Sequence, residues 1–238
     1  MDEYPNEKER NAIAAAEKLM VETMARYDPS HDAFHVERVR RTALSLARSL
    51  SSEKPNLIVI ELAALLHDVL DKKYVSADQA SNPYAYFLPF FQSLASDHDL
   101  DLITDGRARL IVRIVENVSW TTEKKLRESG CIEEWHENCV ELHCVQDADR
   151  LDAIGAFGIM RCAAYSAVTN RQVVSTAYTA IQHFYDKLLH IHDRLKTEPG
   201  KAMGAQRHEF MLQFLKSVQD EYNVNISPFT DLVHGSGS

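Results

Sequence analysis

Four groups able to hold a metal recur in one order along the chain: His35, the adjacent pair His67 and Asp68, and, far downstream, Asp149. Imidazole and carboxylate together are what a divalent ion needs when its task is to activate water. The adjacent pair is the most informative piece, because it closes the apolar run Glu61-Leu-Ala-Ala-Leu-Leu-His67-Asp68. Two such groups at the end of a buried helix are costly unless something compensates them, and a metal does so. Successive helical residues point about 100° apart, so His67 and Asp68 can share one ion only over their common edge near a helix end. A mixed nitrogen and oxygen set suits Mn, Fe, Co, Ni or Zn better than Mg, which prefers oxygen alone.

The elements that must position these groups read as helices. Val36, Val39, Ala43, Leu46 and Leu50 step by three and four, the spacing that lays apolar side chains on one helix face. Asp32 is placed to cap that helix. A second helix is expected from about Asn56 to His67, and packing it antiparallel to the first brings the start of one to the end of the other. Further apolar stripes run through Leu110–Val115, from Cys139 through Asp149 to Ile154, over Ala177–Leu195 and over Arg207–Val218. Thr197-Glu-Pro-Gly200 reads as a loop with a turn signal, and segments 72–86 and 120–133 read as the long loops, where substrate contacts often lie. Alternating strand patterns of convincing length are absent, so the expected fold is all-α, a globular helical bundle in one domain over residues 1–234.

The chain has 238 residues, 45% of them hydrophobic, enough for a full core. A formal net charge of −9 argues against a generic binder of nucleic acid or membrane surfaces, which gathers basic residues to neutralise phosphates. Cys131, Cys139, Cys144 and Cys162 show no Cys-x-x-Cys spacing and read as reduced thiols. The polar N-terminus lacks the basic start and apolar stretch of a signal peptide, and no run reaches the roughly 18 apolar residues of a membrane span. A cytoplasmic location is the expectation, with a nuclear one open.

His35-Val-Glu-Arg-Val, the pair His67-Asp68, and Asp149-Arg-Leu within Gln146-Asp-Ala-Asp-Arg-Leu-Asp-Ala resemble the ordered motif of the HD-domain metal-dependent phosphohydrolases. The resemblance covers about residues 28–160. The later stretch, with His183-Phe-Tyr-Asp-Lys-Leu-Leu, Gly200-Lys and Arg207-His-Glu-Phe-Met, with C-terminal helices over about 161–225, is similar to a branch of small bacterial and fungal HD-domain proteins that includes nucleotide pyrophosphohydrolases. The resemblance implies an HD-domain-like helical fold, a divalent metal held by His35, His67, Asp68 and Asp149, and hydrolysis of a phosphate ester or anhydride. Asp147 competes with Asp149 for the last position, but the two face nearly opposite sides of a helix, and Asp149 fits the family's Asp-Arg-Leu better. Asp147 and Asp152 then become outer acceptors or partners of Arg150.

Asp71 follows Asp68 by three residues and His67 by four, a spacing that aims it along the ligand face. Several HD-domain hydrolases keep an acidic residue at that offset, usually Glu, as a proton-transfer group. The shorter Asp here could serve the reaction or merely cap the helix. Negative charge building on phosphoryl oxygens calls for cations, and Lys72 and Lys73 are nearest in sequence. Arg38 lies one turn beyond His35, while Lys187, Lys201 and Arg207 come from the C-terminal resemblance alone. His31, one turn before His35, could orient it or bind a phosphate. Tyr74, Tyr84, Tyr86 and Phe87 could stack on a base or sugar, or simply pack.

The resulting expectation is a metal-dependent phosphohydrolase acting on a nucleotide or other small phosphate compound, with cleavage of a nucleoside triphosphate to monophosphate and pyrophosphate as the specific form. Its alternatives are a nucleoside monophosphate phosphatase and a non-catalytic HD-domain binding or regulatory protein. An oxygenase on the same fold would need histidines for a second iron, and His98, His136 and His143 do not fall in such a pattern.

Overall fold

The computed structural model describes residues 4–25, 33–50, 54–70, 81–169 and 176–223. Among these residues there is no strand, and the all-α expectation holds. Helix α1 (Glu7–Met24) starts at a capping box in which Asn6 and Glu9 satisfy each other's backbone N–H groups. Helix α2 (Ala33–Ser49) buries His35, Val36, Val39, Ala43, Leu46 and Ala47 along one face, the stripe that its three-and-four spacing predicts.

Helix α3 (Leu57–Leu66) is the pillar of the molecule. Every residue from Ile58 to Leu66 is buried, which fits a segment apolar on all sides. It packs against α1, α2, α5 (Arg107–Asn117) and α8 (Val140–Asp152), and α2 makes its own most extensive contact with α8. Its single buried charge, Glu61, accepts from Tyr4 and Arg40, so the polar group is paired.

Two expected loops turn out to contain helices. Helix α4 (Pro83–His98) begins inside segment 72–86, and α6 (Trp120–Glu128) occupies most of 120–133. Pro83 stands in the first turn after the Asn82 cap, where its missing N–H is no loss. Ser119 caps α6 in the same way, accepting from the Thr122 N–H at 3.1 Å. Thr197-Glu-Pro-Gly200 is likewise the start of α11 (Glu198–Tyr222), with Thr197 as cap and Pro199 in the first turn.

The short α7 (Glu134–Asn138) leads into α8. After α8 the chain turns at Gly155 (φ 75°) into α9 (Gly155–Thr169), then α10 (Thr176–Asp186). The single stripe expected over 177–195 breaks after Asp186 into two 3-10 turns, Leu188–His190 and His192–Arg194. Helix α11 runs back against α8 and α9. Cys139, Cys144 and Cys162 are buried free thiols and Cys131 is exposed. No helix of the described residues is long and apolar enough to cross a membrane.

Candidate metal centre and its cavity

Packing of α2, α3 and α8 brings His35, His67 and Asp68 into one group, their ligand atoms within 4.8 Å of one another, and sets Asp149 beside the two histidines. His35 lies in the first turn of α2, His67 and Asp68 follow the last residue of α3, and Asp149 is in the last turn of α8. Nε2 of His35 stands 3.5 Å from Asp68 Oδ2 and 3.5 Å from Asp149 Oδ1. Nε2 of His67 is 3.4 Å from the same Asp68 oxygen and 4.0 Å from the same Asp149 oxygen. These separations are longer than good hydrogen bonds. They are of the order expected between donors that each lie roughly 2.1 Å from a shared ion.

Each imidazole is held from behind. Nδ1 of His35 is 2.7 Å from Asp152 Oδ2, and Nδ1 of His67 is 2.7 Å from the Ala64 carbonyl. Both contacts place the proton on Nδ1 and leave Nε2 with a lone pair directed at the carboxylates. His67 Nε2 is buried with no hydrogen-bond partner, and such an orphan acceptor at the meeting point of two carboxylates is what a cation would satisfy. Electrostatics agree: burial presses the His67 pKa down, yet Asp68 and Asp149 outweigh it and leave the value raised. The site favours positive charge at that nitrogen, and the donor set fits a divalent metal.

Asp152 is the hub behind the centre. Besides His35 it accepts from Arg38 Nε at 2.7 Å and Nη2 at 3.0 Å, and from Arg161 Nη1 at 2.9 Å. Burial would raise its pKa, but His35, Arg38 and Arg161 hold it far below the usual carboxylate range. Asp147 faces the other way, as its two-residue offset from Asp149 requires. It accepts from the Lys196 N–H, the Thr197 N–H and the Thr197 hydroxyl, pinning the start of α11. Arg150 pairs with neither aspartate through a hydrogen bond; it donates to Glu123 and to the Arg194 carbonyl.

The four candidate ligands line a cavity of about 920 Å³. Its wall also takes in Val115 and Glu116 of α5, Trp120 and Lys125 of α6, Arg161, Cys162 and Tyr165 of α9, and His183 and Lys187 at the end of α10. Lys187 thus lines the cavity. Lys201 is on the outer face of α11 in an ion pair with Glu198, and Arg207 donates to the Leu151 carbonyl; neither lines the cavity. Arg38 is engaged behind the centre, its guanidinium also 4.4 Å from the Phe157 ring. His31, Asp71, Lys72, Lys73 and Tyr74 lie outside the described residues, as does the proposed cap Asp32.

Tyr84, Tyr86 and Phe87 face the core instead of the cavity: Phe87 is fully buried, Tyr86 meets its edge, and Tyr84 lies under Arg109. Sequence reasoning missed Trp120, Lys125 and Arg161. The first two sit in a segment read as loop, and Arg161 is separated from the ligand helix by the turn at Gly155, so no periodicity connects it to the site.

A helical bundle with two histidines and an aspartate in one group, a second aspartate beside the histidines and a cavity that all four line defines a class, and comparison with known proteins agrees. Bacillus subtilis YpgQ is 30% identical over 191 residues, spanning 80% of this chain and 84% of YpgQ. The crystal structure of YpgQ in complex with ADP superposes with a TM-score of 0.64 at 25% identity, covering 90% of this chain and 96% of YpgQ. An HD-superfamily hydrolase from Bacillus thuringiensis gives a TM-score of 0.66 at 25% identity, covering 91% of this chain and all of that one. No protein-family model matches the chain. The chain belongs to the HD-domain superfamily, in the family of YpgQ.

Proposed function

We propose that this protein is a divalent-metal-dependent phosphohydrolase of nucleotides, cleaving a nucleoside triphosphate to the monophosphate and pyrophosphate. The observation that carries the reading is the grouping of donor atoms from His35, His67 and Asp68, with Asp149 beside both histidines, on the lining of a cavity that Lys125, Arg161 and Lys187 also line. The ADP bound to the related YpgQ supports a nucleotide as the substrate class.

A divalent ion held by these residues supplies positive charge for phosphoryl oxygens and lowers the pKa of water towards neutrality. The chain's own groups do the rest. Asp152 and the Ala64 carbonyl fix the two imidazoles in the tautomer that presents Nε2. Lys125, Arg161 and Lys187 come from three separate stretches of the chain and line the cavity, Arg161 already paired with Asp152 and Glu116 lining the same wall, so that cations are at hand for phosphoryl oxygens. Asp71 is the proposed proton acceptor for the attacking water, with Lys72 and Lys73 as further phosphate cations and His31 as an outer partner of the site.

The test is a panel of nucleoside triphosphates, diphosphates, monophosphates and sugar phosphates, assayed with Mn, Co, Ni and Mg and with separate detection of pyrophosphate and orthophosphate. Pyrophosphate release from triphosphates, abolished in a His67→Ala, Asp68→Ala variant, is the expected result. Orthophosphate from monophosphates alone would favour a phosphatase, and activity that persists unchanged in the double variant would remove the assignment.

A further inference from the structure

Trp120 lines the cavity and packs against two arginines, neither of which lines it. It stands at the first position of α6, just after the Ser119 cap, and lines the same cavity as His35, His67, Asp68 and Asp149. The Arg194 guanidinium carbon lies 4.8 Å from its ring centroid and that of Arg150 5.9 Å. Arg150 is buried, donates to Glu123 one turn along α6, and donates again to the Arg194 carbonyl at 2.7 Å. Lys196 Nζ adds a further cation 3.3 Å from Glu123. Burying such a cluster is a weak route to stability, because desolvation consumes most of the attraction. What it does secure is position: α6, α8 and the turn before α11 are locked around one indole.

We propose that Trp120 is the platform on which the base of a nucleotide stacks, with the phosphates directed towards the four-ligand centre in the same cavity. The inference rests on the nucleotide reading above and adds the residue that recognises the base. A cavity of about 920 Å³ lies within the size range of sites that enclose whole small-molecule ligands. An aromatic ring fixed in advance costs little to order when the base arrives. Every base has a π-face, so stacking tolerates base identity. The platform therefore separates nucleotides from base-free polyphosphates and sugar phosphates, without choosing strongly among the bases.

The chain has two tryptophans, which makes the test direct. Trp135 does not line the cavity, and its ring packs under Arg113 at 3.9 Å, so Trp135→Phe leaves Trp120 as the sole indole reporter. With the Mn-loaded Trp135→Phe protein, a non-hydrolysable α,β-methylene nucleoside triphosphate should quench the emission saturably, and inorganic tripolyphosphate should reverse the quench by displacement without producing one of its own. By calorimetry, Trp120→Leu should weaken binding of the analogue by about 5- to 150-fold, the range a base stack spans, while Trp120→Phe keeps most of the affinity. An analogue that binds without changing the emission, or binds the Leu variant as tightly as the parent, overturns the platform. Binding and quenching without hydrolysis would support the platform and remove the hydrolase reading. Hydrolysis by Trp120→Leu at the parental kcat/KM would remove the platform and leave the hydrolase in place.

Discussion

Asp152 Oδ2 lies 2.7 Å from His35 Nδ1, across 117 residues of sequence, while the same carboxylate holds Arg161 at 2.9 Å. One buried aspartate thus sets the tautomer of His35, a candidate metal ligand, and the placement of a cavity cation. Asp152→Asn keeps the shape and one acceptor but removes the charge. Metal affinity, measured by calorimetric titration with Mn, should fall by about 10- to 100-fold, the range seen when the outer partner of a ligating histidine is changed. An unchanged affinity would show that the contact is only structural.

Because the candidate ligands come from α2, the end of α3 and α8, an ion bound among them would tie these helices together. A ligand that binds only the folded state at about 100 times its dissociation constant stabilises by about 2.7 kcal/mol. Thermal melts should therefore shift upward with added Mn and back down with chelator. The His67→Ala, Asp68→Ala variant should show neither shift.

The buried Glu123 connects pH to stability. Burial would raise its pKa, but Arg150, Lys196 and Arg127 bring it from the usual 4.5 down to about 2. A depressed carboxylate gives stability that is complete above its unfolded value and is lost as pH falls through the folded one. Tm should therefore drop between about pH 4.5 and 2. Glu123→Gln should flatten that part of the curve. The same change leaves Arg150 buried without its partner, which costs about 3 to 5 kcal/mol at neutral pH, seen as a lower midpoint in urea.

Gly158 marks a place where two backbones meet. A Cβ there would press into the Ala153 carbonyl, and backbone yields less readily than a side chain. Gly158→Ala should cost about 1 to 3 kcal/mol, the usual penalty for overpacking. As Gly158 also borders the cavity, the loss should be accompanied by a raised KM in the assay described above; a variant as stable as the parent would show that α9 can shift freely.

Much of this molecule is legible in one dimension. The three-and-four stripe of α2, the wholly apolar α3 and the His67-Asp68 pair at its end are local patterns, and local patterns dictate helices and their buried faces. The candidate ligands could be listed from the sequence because their order and context resemble the motif of the HD-domain family. Helix starts at Pro83 and at Pro199 were harder, since a proline inside the first turn and a proline that breaks a helix look alike until the cap residue is seen to hydrogen-bond.

What only the tertiary structure decided is which distant groups share a space. Asp152 reaching His35, Arg150 choosing Glu123 over the aspartates beside it, and Trp120 replacing Tyr84 and Phe87 on the cavity wall all depend on how α2, α6, α8 and the turns before α11 are packed. Periodicity carries the face a side chain occupies on its own helix. Which neighbour that face meets is set by the summed burial of all the helices together, and no spacing within one segment records it.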